Sequence, residues 1–220
     1  MVSMYETIME LPLFKGIGSD QLSQMLEKTR VEFLNFEDGE VIAKTDEQVD
    51  SIGFLLSGHI RRLHKLSNFK ITFEETLGKG AVIGAMNLYG LSNHYISDIQ
   101  AVGKSSILKI GKSQYMNILR SDEIYLMNYL NYLSAAAQRR IKMASRDEGY
   151  SIGSYLKNIA SLLLSPMAKD VRVKGRDEDL AALCGASETE FMVWKRSTAL
   201  NEGFEFGDNQ VILKKGDPEK

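Results

Sequence analysis

The sequence predicts an α+β chain: an antiparallel β-roll first, then one long helix, then a helix-turn-helix closed by a two-stranded wing. Three observations predict it. Between about residues 30 and 111, short runs rich in branched and aromatic residues are separated by Gly and Asp clusters, the texture of an antiparallel barrel or jelly roll. From 121 to 145 there is no Gly or Pro, and apolar residues recur at steps of four and three, which marks a long amphipathic helix. After about Tyr150, helical segments lead into Phe and Val runs joined by Gly207-Asp208-Asn209. A hairpin placed directly after two helices is the shape of a wing.

The bulk numbers are compatible with this and exclude several alternatives. A chain of 220 residues, 44% hydrophobic and 25% charged, has enough apolar surface for packed cores. A net charge of −2 and a pI near 6.0 exclude a generally basic nucleic-acid coat but leave room for a local basic patch. The single cysteine, Cys184, cannot form an internal disulfide or belong to a CxxC metal set. Acids come early in the N-terminal stretch, unlike a signal peptide, and no run of about 18 apolar residues suggests a membrane span. The expectation is a cytoplasmic, soluble protein with no membrane partner.

The elements follow in order. A Pro-punctuated start, Leu11-Pro12-Leu13-Phe14, precedes a helix that Ser19 and Asp20 can cap, with Leu22, Met25 and Leu26 at helical spacing. Strands are expected over 31–35, 41–44, 52–56, 71–76, 99–102 and 106–110, with turns at Glu37-Asp38-Gly39 and Ser57-Gly58. In the long helix, Leu126, Leu130, Leu133, Ala137, Ile141 and Ala144 draw one stripe. A stripe of this kind is either an ordinary core face or, on a helix leaving a barrel, the seam of a dimer. Beyond Tyr150, Leu156, Ile159, Ala160 and Leu163 form an apolar face, and a short helix over 178–183 turns at Gly185-Ala186. Ser187 then caps a longer helix running to about Asn201.

Two stretches, in the same order, resemble the CRP/FNR family of bacterial transcription regulators. The first is Phe36-Glu37-Asp38-Gly39-Glu40-Val41-Ile42 followed by Ile52-Gly53-Phe54-Leu55-Leu56-Ser57-Gly58-His59-Ile60-Arg61, and the leader Leu11 to Gly16 fits with it. The second is Asp179-Leu180-Ala181-Ala182-Leu183-Cys184-Gly185-Ala186-Ser187. The resemblance implies an effector-sensing, cyclic-nucleotide-binding-like roll over 1–112, a dimerisation helix over 113–148, and a winged helix-turn-helix DNA-binding domain over 149–220. Its implied partners are double-stranded DNA, a second copy of the chain and RNA polymerase; it implies no enzyme activity and no cofactor.

Within that resemblance the sensor pocket departs from the nucleotide-binding pattern. The family's Gly-Glu-Leu motif aligns with Gly84-Ala85-Met86, and its Arg-Ser-Ala or Arg-Thr-Ala segment with Tyr95-Ile96-Ser97, so the ribose-holding Glu and the phosphate-holding Arg are absent. A buried phosphate without a cation is costly, and cyclic AMP is therefore not expected to bind tightly. The pocket either takes another, less charged small molecule through Met86, Asn87, Tyr95 and Ser97, or is filled by its own side chains. Ala144 and Ser145 align with the helix positions that touch the base in binding members. His59, His64 and His94 are scattered and lack metal-ligand spacing, so no metal site is expected.

The DNA-reading helix is unusual too. The family's Ser-Arg-Glu start is here Ser187-Glu188-Thr189-Glu190, with Val193 near the position of a second Arg. Acids at a helix start favour its dipole but repel phosphate, although a Glu can accept from a cytosine amino group. From Tyr150 onward there are ten Lys and Arg against eleven Asp and Glu. Phosphate anchoring is assigned to Lys195, Arg196, Lys214 and Lys215, with Arg172, Lys174 and Arg176 ahead of the motif; a merely solvated charged face is the alternative. Trp194 is expected to be core and Cys184 buried and inert. The leading expectation is a dimeric DNA-binding regulator, and its rival is a ligand- or partner-sensing dimer with a degenerate winged helix.

Overall fold

The computed structural model describes residues 4–144, 151–165, 168, 170–198 and 203–214. The chain divides into two compact units: Met1–Ile60 with Gly78–Gln138, and Arg61–Leu77 with Arg139–Lys220. The hairpin 61–77 thus groups with the C-terminal residues, and the first unit runs on to Gln138.

The first unit opens with helix α1 (Met4–Met9), a 3-10 turn over Pro12–Phe14, and helix α2 (Ser19–Lys28). The N-cap of α2 falls at Gly18, one residue before the expected Ser19, because the Gln21 side chain accepts the Gly18 N–H at 3.1 Å. Strands β1 (Val31–Phe36), β2 (Val41–Ala43), β3 (Ser51–Leu66), β4 (Ile71–Leu77), β5 (Val82–Ile83) and β6 (Asp98–Gly111) follow. In the roll, β6 lies between β1 and β3, β2 joins the start of β6, and β5 pairs with β3. The β1–β6 ladder is antiparallel and regular, from Val31 opposite Ile110 to Phe36 opposite Ser105.

The turn expected at Ser57-Gly58 is not a turn, and the two runs expected on either side of Gly103 are one strand. Strand β3 continues through Ser57-Gly58 to Leu66, and β6 joins the separate runs 99–102 and 106–110 through Gly103. Gly58 has φ +82°, and a Cβ there would lie 2.3 Å from the Lys104 carbonyl oxygen. Ser105 closes this crossing by donating its hydroxyl to the His59 carbonyl at 2.8 Å. A glycine inside a strand therefore marks a close backbone approach here, not a chain reversal.

After β6 come α3 (Lys112–Ser121) and the long α4 (Glu123–Ala144), two helices where one was expected over 113–148. An aromatic chain forms the core between α4 and the roll: Phe14 meets Phe54 at 5.1 Å, Tyr115 meets Tyr129 at 5.6 Å, and Phe14 meets Tyr125 at 6.1 Å between ring centroids. Offset and edge-on ring pairs of this kind add to simple area burial.

The second unit contains α5 (Ile152–Leu163), β7 (Asp170–Lys174), α6 (Asp177–Leu183), α7 (Glu188–Thr198), β8 (Phe204–Gly207) and β9 (Gln210–Lys214). Its antiparallel strands run β4-β7-β9-β8. Strand β4, from the 61–77 hairpin, pairs with β7 from Thr72 opposite Lys174 to Glu75 opposite Val171. One sheet face is apolar, with Phe73, Val171, Val173, Phe204, Val211 and Leu213 buried, as are Leu180 of α6 and Phe191 of α7. Trp194 meets Phe204 and Phe206 edge-on, each at 5.3 Å. Among the described residues no helix is long and apolar enough to cross a membrane.

Candidate functional site

The roll contains a partly open cavity of about 280 Å³. Leu34, Phe36, Ile42, Ile83 and Ile107 form its apolar wall; Glu47, Gln48, Asp50, Ser51, Tyr95 and Lys109 supply its polar groups. Strand alternation explains the set. Leu34 and Phe36 are two apart on β1, and Ile107 and Lys109 two apart on β6, so each pair faces the same side. Burial, reinforced by the negative charges of Asp50 and Glu47, pushes the Tyr95 phenol up to about 12.

Of the residues assigned from the sequence to the effector pocket, Tyr95 lines this cavity. Gly84 borders it through its neighbour: it has φ +80°, and a Cβ would lie 2.8 Å from the carbonyl oxygen of cavity-lining Ser51. Ala85 packs into the aromatic core at 2% exposure, and its carbonyl accepts the Tyr129 hydroxyl of α4 at 2.8 Å. The segment turns back on itself, with the Asn87 N–H donated to the Gly84 carbonyl at 3.0 Å. That turn leaves Met86 exposed and directs Ala85 toward α4. Ser97 is buried near the start of β6, and Ser145 lies outside the described residues.

Along α4, the buried side chains are Tyr125 and Tyr129, with Ile124, Tyr132 and Leu133 packed beside them. The expected stripe is offset from this face: Leu126 and Leu130 are 39% and 47% exposed, and Ala137 is exposed as well. Leu133 sits at the border of the two faces. Ile141 and Ala144 fall within α4, but their side chains are outside the described residues.

In the C-terminal unit, Ser187 and Glu190 cap α7. The Ser187 hydroxyl accepts the Glu190 N–H at 3.2 Å, and the Glu190 carboxylate accepts the Ser187 N–H and hydroxyl at 2.8 and 2.7 Å. These bonds hold the Glu190 carboxyl below the usual range and close a reciprocal capping box. Lys195 turns inward: its ammonium donates to both Asp177 carboxylate oxygens at 2.9 and 3.0 Å and lies over the Phe206 ring. Arg196 is exposed, as are Glu188, Thr189 and Val193.

Most remaining cations expected to anchor phosphate have carboxylate partners. Lys174 reaches Glu74 at 2.6 Å, and Arg172 and Arg61 reach the same Glu74 at 3.7 Å. Glu75, fully buried, accepts Arg62 and the Ser165 N–H. Arg176 pairs with Glu178 and Asp179, and Lys214 with Glu205. Lys215 lies outside the described residues. Alternation along β7 places Arg172 and Lys174 on the face opposite Val171 and Val173, the strand residues buried in the core.

Of the residues expected on the DNA-reading helix, Thr189 and Arg196 share an exposed face of α7 with Val193. Thr189, Val193 and Arg196 fall at i, i+4 and i+7, opposite Phe191 and Trp194, and Val193 is 63% exposed. The helical period of this segment carried that signal.

Residues 33–122 match the family described as cyclic nucleotide-binding domain. Among solved structures, the N-terminal domain of a transcriptional regulator from Streptomyces coelicolor A3(2) is 13% identical. The match covers 66% of this chain and 99% of that one, with a TM-score of 0.51. The sensor domain of the transcriptional regulator DNR from Pseudomonas aeruginosa is 17% identical over 62% of this chain and 94% of that one, with a TM-score of 0.50. The Thermus thermophilus catabolite activator protein aligns at 19% identity over 92% and 93% of the two chains, with a TM-score of 0.48. At such identities the first two likenesses establish the fold of the N-terminal roll. Among curated proteins no sequence matches.

Proposed function

We propose that the chain is a dimeric, sequence-specific DNA-binding transcription regulator, with residues 1–112 as sensor, 113–148 as dimerisation helix and 149–220 as winged helix-turn-helix. The observation that carries this reading is the exposed face of α7. A solvent-facing Thr189-Val193-Arg196 stripe on a helix clasped to its predecessor, beside a β-hairpin, is suited to a major groove. The Thr and Val methyl groups suit thymine methyls, and Arg196 suits a guanine edge or a phosphate. Glu188 is exposed and able to accept from cytosine, whereas Ser187 and Glu190 support the helix start. Lys214 on β9 anchors the wing side once Glu205 releases it.

Dimerisation is assigned to the α4 stripe of Leu126, Leu130, Leu133, Ala137, Ile141 and Ala144, since Leu126 and Leu130 are large apolar groups left in water at helical spacing, which suits a partner helix. The Tyr129–Ala85 hydrogen bond ties that helix to the segment aligned with the family's Gly-Glu-Leu motif, giving effector state a route to helix placement. The sensor lacks the motif Glu and Arg, so its effector is a small molecule other than cyclic AMP. RNA polymerase is a further partner of the bound dimer. The proposal includes no catalytic step.

A second reading, a sensing dimer that does not bind DNA, is favoured by the ion pairing of Arg172, Lys174, Arg176, Lys195 and Lys214 within their own unit. Selection of genomic fragments by the purified protein at near-physiological salt separates the two, with Thr189→Ala/Val193→Ala/Arg196→Ala as control. The regulator reading expects one two-fold symmetric sequence, its half-sites about 10 bp apart centre to centre, lost in the variant. No enrichment, with or without cell extract as effector source, overturns it in favour of the second reading.

A further inference from the structure

We infer that the roll cavity is a site for a small amphipathic amine: an aromatic or branched apolar body carrying an ammonium group. The inference rests on reading the roll as the sensing half of a regulator. Its size comes first. A cavity of about 280 Å³ is at the small end of ligand sites, which run roughly 300–1,000 Å³, so it holds about one ring with a short chain. Gly53 sets the width of the floor, because a Cβ there would lie 3.3 Å from both Ile107 and Ile83. The wall of Leu34, Phe36, Ile42, Ile83 and Ile107 presents no polar side-chain atom, which matches an apolar body.

The charge of the headgroup follows from the polar side. Two carboxylates, Glu47 and Asp50, share the lining with one ammonium, Lys109. That ammonium is already 4.0 Å from Asp50, so the cavity presents a net negative charge. Glu47 accepts the Lys44 N–H through one oxygen at 2.9 Å. Gln48, Ser51 and the Tyr95 hydroxyl are neutral hydrogen-bonding groups beside them. A phosphate entering here would meet two like charges and a cation with a partner of its own, whereas an ammonium would meet complementary charge.

The test measures binding to the full chain with no DNA present, so its failure leaves the DNA reading standing. Phenethylamine, 2-phenylethanol, 3-phenylpropionate and cyclic AMP are titrated by calorimetry against the wild type and Glu47→Gln/Asp50→Asn. The substituted positions are solvent-exposed, so the variant is expected to fold. The wild type is expected to bind the amine about tenfold tighter than the alcohol, as two exposed ion pairs together would give, and the alcohol tighter than the carboxylate. In the variant the amine and the alcohol converge. Equal binding of amine and alcohol by the wild type overturns the inference. So does an advantage for either anion, an amine preference that survives in the variant, or no binding of any probe up to about 1 mM.

Discussion

Lys195 was assigned from sequence to DNA phosphate, and the structure turns it toward Asp177 instead; the two roles predict different measurements. Its ammonium bonds both carboxylate oxygens at 2.9 and 3.0 Å, and the two side chains are 19% and 26% exposed. A charge-assisted hydrogen bond contributes about 1.5–3 kcal/mol when well buried. Partial solvent access lowers this pair to about 1 kcal/mol. The ammonium also sits 5.9 Å from the Phe206 ring centroid, a contact of about 0.5 kcal/mol at this exposure. Lys195→Met keeps the stem and should cost about 1–1.5 kcal/mol, with a coupling to Asp177→Asn of about 1 kcal/mol in a double-mutant cycle. Arg196→Ala, at an exposed position, should stay within about 0.5 kcal/mol of wild type.

Urea unfolding followed by Trp194 fluorescence reads this directly. Trp194 is the only tryptophan in the chain, and it packs against Phe191, Phe204 and Phe206 within the same unit. A loss of this size lowers the midpoint by about 0.5–1 M for a small domain. In DNA binding the order reverses: Arg196→Ala should reduce the salt slope by about 1, and Lys195→Met should leave it unchanged. If Lys195→Met left the midpoint untouched, showed no coupling to Asp177 and reduced the salt slope by one, the clasp argument would be refuted.

Four further outcomes are expected. Glu75→Gln leaves the Arg62 guanidinium without its buried carboxylate and should destabilise the second unit by about 3 kcal/mol, with faster amide exchange along β7 as the readout. Unchanged exchange would show that the β4–β7 pairing does not depend on that ion pair. Tyr129→Phe leaves the Ala85 carbonyl without its hydroxyl donor and should cost about 1–2 kcal/mol, a melting shift of several degrees; no shift would remove the proposed route from α4 to the Gly84–Met86 segment. Burial raises the phenols of Tyr89, Tyr95 and Tyr129 from 10.0 to about 12. The folded state then keeps protons that the unfolded state releases, so this stabilisation is complete below pH 10 and is lost as pH rises toward about 12. An unfolding midpoint unchanged at about pH 11 would contradict the assignment. Finally, Leu126→Glu/Leu130→Glu places charge on the exposed α4 stripe and should convert a dimer to a folded monomer, seen by sedimentation; a dimer that persists with wild-type affinity moves the seam elsewhere.

Local rules settled much of this architecture. Hydrophobic alternation and turn residues marked the strands of the roll, the absence of Gly and Pro over 121–145 marked α4, and Ser187 three residues before Glu190 wrote its own helix cap. The spacing of Thr189, Val193 and Arg196 was legible in the same way, and so was the Val171-Val173 alternation of β7. These features are readable because helix and strand periods act between residues a few positions apart.

Other features depend on which distant segments meet, and no local period encodes that. Gly58 and Gly103 look like turns along the chain, but across the sheet they are points where β3 and β6 run on through a close crossing. The pairing of β4 with β7 brings Glu74 to Arg172 and Lys174, and the fold of α6 against α7 brings Asp177 to Lys195, converting candidate phosphate anchors into internal ion pairs. The cavity joins Leu34, Gly53, Ile83, Tyr95 and Lys109 from five separate stretches. Sequence by itself determined the order of the elements and the residues able to carry charge or apolar surface. Tertiary structure alone decided which charges neutralise each other and which face solvent or a cavity, because those outcomes rest on long-range strand register and helix packing, not on neighbours in sequence.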